Sequence, residues 1–268
     1  MTLQIPMDAF AGIDVAFAKR KRLPLSLCVR DERGVIPLPV AASAAPTPPR
    51  GRGNAATLHE DVVADFAEEV AKYLRQLEIY FAVKIRRIGI DAPSDPRAAD
   101  ASRRKAEAAL DRRRISCFTT PSSADFERIR QKALTHLEAG GSESCLPHAN
   151  QLWMLVGFAL FDRLRREWDC LEVFPQATVC VLGANALHKS QRGGVDAQLA
   201  AVAKFTGWPK PPHEAALKTV VHGPAHDGLD AYMSAWVAAL EIDERLAFGQ
   251  PPGDAIWVPA LGTRVRSD

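Results

Sequence analysis

Aromatic residues are scarce in this chain. Phe, Trp and Tyr together make up 7% of its 268 residues, and there are only three tyrosines. No stretch therefore offers an evident stacking platform for single-stranded nucleic acid. Cysteine is nearly as sparse. The five cysteines (Cys28, Cys117, Cys145, Cys170, Cys180) are odd in number and contain no CxxC pair. That argues against a disulfide framework or a zinc site, makes a reducing cytoplasm the expected compartment, and leaves Cys170 and Cys180 as core fillers. A surplus of one charge is also missing: 34 basic residues face 32 acidic ones, for a net +2. Long apolar runs are absent too. The longest, "LWMLVGFALF" at 152–161, is too short to cross a bilayer. The N-terminus has no basic region followed by an apolar core, so no secretory leader is expected.

What is present is a 47% hydrophobic chain, long enough for one elaborated domain over 1–268. Residues 10–18 read as a short buried strand. Leu23, Leu25, Leu27 and Val29 alternate with Pro24, Ser26, Cys28 and Arg30, which marks a half-buried strand. A turn at Asp31–Gly34 and "VIPLPV" at 35–40 complete an antiparallel meander. The Pro/Gly/Ala-rich segment 41–56 reads as a mobile loop. Thr57 and Glu60 have capping-box spacing ahead of an amphipathic helix over 58–81. "VKIRRIGIDAP" is the next strand, and its crossover helix places it parallel in the same sheet. The stretch 100–166 is mainly helical. "DCLEVFPQATVCVLG" at 169–183 reads as strand, 193–207 and 224–247 as helices, "AIWVPAL" as a last strand, and 262–268 as a frayed tail.

One tripeptide is written twice, in "AGIDVAFA" and "IGIDAPSD". Each copy sets an aspartate, Asp14 or Asp91, into an apolar run where an unpaired charge is costly. Side by side in one sheet, the two carboxylates would lie about 4.8 Å apart and resist joint ionisation without a cation between them. A hard divalent ion such as Mg²⁺ or Mn²⁺ meets that need. Glu172 repeats the oddity in "CLEVF". Asp227 and Asp230 share one side of the last strong helix, with Asp230 bordering the apolar stripe and Asp227 further towards solvent. Four or five such carboxylates could hold two ions for in-line phosphoryl displacement, one activating water and the other stabilising the leaving oxygen.

Basic residues cluster at Lys19, Arg20, Lys21 and Arg22, just past Asp14, where they could meet a phosphate backbone. Lys189 and Arg192 precede a helix start and form a second candidate anion contact. Further clusters at Arg103–Lys105, Arg112–Arg114 and Arg163–Arg166 read as solvated helix faces. His226 adjoins Asp227 and could move protons there.

The ordered set "GIDVA", "IGIDAP", "RRKAEAAL", "TTPS", "EVFPQA" and "HDGLDAYMSAWVAAL" resembles a bacterial and archaeal domain-of-unknown-function family described as predicted RNase H-like nucleases. The resemblance implies an α/β, RNase H-like fold: a five-stranded mixed sheet, three strands antiparallel and then parallel ones, flanked by helices. Against that frame 98–166 is a helical insert. It further implies that Asp14, Asp91 and Asp230 bind catalytic Mg²⁺ or Mn²⁺. "DGLDA" is similar to the D-x-x-D-A ending of Holliday-junction resolvases, which brings in Asp227. Glu172 falls on the family's E-x-x-P-x-A pattern. The function so implied is a metal-dependent nuclease acting on DNA or RNA. The alternatives are a non-catalytic nucleic-acid or protein binding module and a phosphotransferase of the actin and sugar-kinase type. The last fits poorly, because bulky "VAFAKRKR" follows Asp14 where small phosphate-wrapping residues are needed.

Overall fold

A computed structural model describes residues 6–260; the tail at 262–268 lies outside them. Strands β1 (Met7–Asp14), β2 (Leu25–Asp31) and β3 (Gly34–Pro37) form the antiparallel meander. β4 (Val83–Asp91) and β5 (Asp169–Glu172) add to it, parallel to β1. The result is a five-stranded mixed sheet in the order β3-β2-β1-β4-β5.

Helices α1 (Glu60–Phe81) and α4 (Ala149–Leu164) cover one face of this sheet. Ile13, Leu25, Leu27, Ile88 and Ile90 meet Phe66, Leu74, Leu77, Leu160 and Phe161 there, all at most 1% exposed. Burying each such side chain contributes about 1.5–3 kcal/mol. α4 therefore belongs to the main core, although the sequence placed it in an insert. Only α2 (Lys105–Arg112) and α3 (Ser123–Glu138) stand off, in clusters of their own.

The other face carries α8 (Ala225–Ala239), which is buried on all sides from Asp227 onward. It is sandwiched between the sheet and the helices α6 (Gly194–Thr206) and α7 (Leu217–Val220). Two strand glycines let it come close. A Cβ on Gly12 would lie 2.0 Å from the Ala231 carbonyl oxygen, and one on Gly89 would lie 2.2 Å from that of Ser234. At its other end Arg87 donates to the Ala238 and Leu240 carbonyls at 3.0 and 3.2 Å, and Arg30 to that of Ala239 at 2.9 Å. These cations satisfy the free carbonyls and the negative end of the helix dipole. α8 thus runs against the direction of β1 and β4, and its first turns lie over their C-terminal ends.

Several expectations are corrected. The Thr57–Glu60 capping box does not form, because the Thr57 hydroxyl donates to the Asn54 carbonyl at 2.6 Å. The segment after Glu172 is helix α5 (Pro175–Val181), since a proline at the first position favours a helix start. The last helix ends at Ala239, and 245–250 forms strand β6 (Arg245–Gln250). It pairs with β7 (Asp254–Pro259) in a separate two-stranded sheet. The loop read as mobile is tied to the segment after β1: Gly51 exchanges backbone bonds with Arg20 and Lys21 at 2.9 and 2.8 Å, and Gly53 donates to Phe17 at 2.8 Å. Among the described residues no helix is long and apolar enough to cross a membrane.

Candidate metal centre

The doubled GID is one structural device used on two neighbouring strands. In the parallel register Gly12 faces Gly89, Ile13 faces Ile90 and Asp14 faces Asp91. The glycines admit α8, the isoleucines fill the α1 side, and the aspartates, one residue on, return to the α8 side at the strand ends. Asp230 comes down from the second turn of α8. One carboxylate oxygen from each of Asp14, Asp91 and Asp230 lies within 4.8 Å of the other two.

These residues fit a divalent cation. Two ligands of one Mg²⁺ can be at most about 4.2 Å apart, twice a bond of ~2.1 Å, so a small side-chain adjustment closes the set. The Oδ1 atom of Asp230 is buried and has no hydrogen-bond partner. Such an atom is costly unless something outside the polypeptide satisfies it. All three donors are hard oxygens, as Mg²⁺ and Mn²⁺ prefer.

Electrostatics carry the same message. Burial, followed by the charge of Asp227, pushes the Asp14 pKa up to about 7, while Lys189 and Lys21 act to lower it. Asp91 is raised well above the usual carboxylate range, first by burial and then by the Asp14 charge, with Lys189 again opposing. The only ammonium paired to the trio among the described residues is that of Lys189, which contacts Asp230 Oδ2. It comes from the loop before α6, so the residue read from the sequence as an anion contact stands against Asp230 as a counter-ion.

Asp227 is 7% exposed, not turned towards solvent as its helical position suggested. It pairs with Lys21 and lies 3.1 Å from His226 Nε2. It stands beside the trio, close enough to act on Asp14, but outside the group of converging oxygens.

Glu172 does not join the cluster. It pairs with Ile90 in the β4–β5 register, which sends it to the opposite face from Asp91. There it accepts from Arg104 Nη1 and Nη2 at 2.9 and 2.6 Å, and from the Ser94 amide at 2.8 Å. Its expected role as a metal ligand is thereby corrected to that of an ion-pair anchor for α2. Arg104 was visible in the sequence only as part of a basic cluster, and nothing in its spacing pointed to a partner 68 residues away.

The basic run after β1 also divides. Lys19 and Arg20 are exposed, with Lys19 lying 3.8 Å from Glu143. Lys21 is engaged by Asp227, and Arg22 is half-buried and bridged to Arg50. Lys19 and Arg20 are thus the exposed members of the run. Arg192 is exposed on the Lys189 loop.

Residues 40–253 match the model of a family described as "Protein of unknown function (DUF429)". No curated protein and no solved structure matches the chain. The matched span takes in Asp91, Glu172, Asp227 and Asp230; Asp14 and the basic run at 19–22 precede it.

Proposed function

The chain belongs to this family, DUF429, and we propose that it is an RNase H-like, metal-dependent nuclease hydrolysing phosphodiester bonds in DNA or RNA. The observation that carries this reading is the convergence of Asp14, Asp91 and Asp230, from two strands and a helix, with one buried oxygen left unpartnered. Two features support it. The five-stranded mixed sheet, with its first three strands antiparallel and the later ones parallel, is of the kind the RNase H-like resemblance implies. The acids also lie beyond the carboxyl ends of parallel strands, where open α/β sheets bind ligands.

Asp14, Asp91 and Asp230 would hold Mg²⁺ or Mn²⁺, with Asp227 available to a second ion. Bound there, the metal would polarise the scissile phosphate and lower the pKa of an attacking water. The chain's own groups set the rest. Lys189 keeps the cluster neutralised until a divalent cation competes for Asp230. Asp227 and His226, 3.1 Å apart, form a path for a proton leaving the attacking water. Lys19, Arg20 and Arg192 supply exposed positive charge for a phosphate backbone.

A second reading, a non-catalytic nucleic-acid binding module, is favoured by one observation: Lys189 already gives Asp230 a counter-charge. The two readings separate on Mn²⁺ titration followed by cleavage assays on single-stranded, duplex, hybrid and branched substrates. The nuclease reading expects Mn²⁺ to stabilise the protein by about 2.7 kcal/mol at a hundredfold excess over its Kd, and expects cleavage of at least one substrate. Asp91→Asn should remove both. Stabilisation without any cleavage selects the binding module, and neither effect leaves the cluster as a structural ion pair.

A further inference from the structure

Beside Asp91 the chain forms a half-open cavity of about 70 Å³. That is several times the roughly 10–15 Å³ that one water requires. Its walls concentrate the aromatics that the sequence as a whole lacks: Phe118, Trp153 and Phe174. Phe118 is 62% exposed, so its ring is open to an incoming ligand.

The floor is polar, with one cation among carboxylates. Arg104, Glu107 and Glu172 line it, each at most 6% exposed. Arg104 directs Nη1 and Nη2 to Glu172, and its Nε lies 3.3 Å from Asp254. A guanidinium has five N–H groups, so two donors remain. The two glutamates keep spare acceptor lone pairs. No surplus positive charge is present to hold a phosphate, whereas donors and acceptors stand together as the edge of a neutral heterocycle requires. Asp91 belongs both to this cavity and to the acidic cluster, so an occupant's far end lies at the metal centre.

We propose that this cavity is a nucleobase pocket, which takes one unstacked base and presents its phosphate to Asp14, Asp91 and Asp230. This rests on the nuclease reading and narrows it. The substrate is a single-stranded or extruded nucleotide, because a base inside a duplex cannot enter a pocket.

The test uses the intact protein with Ca²⁺ in place of Mg²⁺, and compares cytidine 5′-monophosphate with ribose 5-phosphate by calorimetry. Base–aromatic stacking predicts that the nucleotide binds about tenfold tighter or more. Phe118→Ala, at an exposed site that the fold does not need, should reduce the preference to within about threefold. Cytidine alone should still bind to Asp230→Asn, in which the cluster is broken and the pocket intact. Cytidine binding in a protein that takes up no divalent cation would uphold the pocket and fell the nuclease reading. Cation binding with no preference for the base would do the reverse and overturn the proposal.

Discussion

Glu172 and Asp91 end adjacent parallel strands, and both are acids drawn out of water, yet their surroundings could hardly differ more. Glu172 meets a planar guanidinium with both oxygens, and a backbone amide besides. Arg104 is itself held between Glu172 and Asp254. Burial still raises the pKa of Glu172, but Arg104 pulls against it. Asp91 shares its space with two more carboxylates and is answered by the ammonium of Lys189 on a loop. A bidentate arginine is a permanent partner; a lysine on a flexible stem is a replaceable one. The first arrangement holds elements together, and the second keeps a charged site ready for another cation.

The largest expected effect tests the permanent half. Arg104→Met leaves Glu172 buried and unpaired and should cost about 3–5 kcal/mol in urea denaturation. Replacing Glu172 by Met as well should recover most of that loss, because two apolar groups of similar size need no partner. Asp91→Asn should behave in the opposite way when metal is stripped by chelator: with one repelling charge fewer, the protein is at least as stable as the wild type. A cost below about 1 kcal/mol for Arg104→Met would erase the distinction between the two sites.

The next effect is on pH dependence. Asp14 titrates near 7 in the folded chain and near its usual 3.8 when unfolded. Between those values the folded state binds the extra proton. Without metal, this group therefore favours folding most at acid pH, and the benefit is lost as pH rises to about 7. Asp14→Asn has no such loss, so its Tm advantage over wild type in chelator should widen from about pH 5 to pH 8. Divalent binding runs the other way. A proton must leave before Mn²⁺ can enter, so the Mn²⁺ affinity of the wild type should fall up to about tenfold per pH unit below 7 and level off above it. A flat profile from pH 5 to 8 would mean that Asp14 is not a ligand.

How much of this could be read in the residues follows from where each signal lives. Strand alternation and the 3.6-residue repeat are local, so β1 to β4 and α1 were legible. So was the doubled GID, because glycine, isoleucine and aspartate each leave a separate mark: close approach, core, charge. Asp230 followed from helical spacing. Register is not local. That Glu172 pairs with Ile90, and so faces away from Asp91, depends on one residue of offset between strands far apart in sequence. The burial of Asp227 was hidden for a similar reason, since its partner Lys21 lies some two hundred residues earlier in the chain. The scarcity of aromatics was read as the absence of a stacking surface, yet three of them meet in space beside Asp91.

The finest test concerns Lys189, whose two readings predict effects of opposite sign. As a phosphate contact it would strengthen nucleic-acid binding and leave cation affinity alone. As the counter-ion of the cluster it competes with the metal for Asp230. Removing it in Lys189→Met should then raise Mn²⁺ affinity roughly fivefold, equivalent to about 1 kcal/mol for a partly exposed ion pair. The matching change at Lys21 should do less, because that ammonium pairs with Asp227, outside the converging oxygens. Calorimetry on the two variants decides between them. Unchanged Mn²⁺ affinity in Lys189→Met would mean that the ammonium need not leave when the metal arrives, and the contrast between a replaceable and a permanent partner would then rest on Arg104 alone.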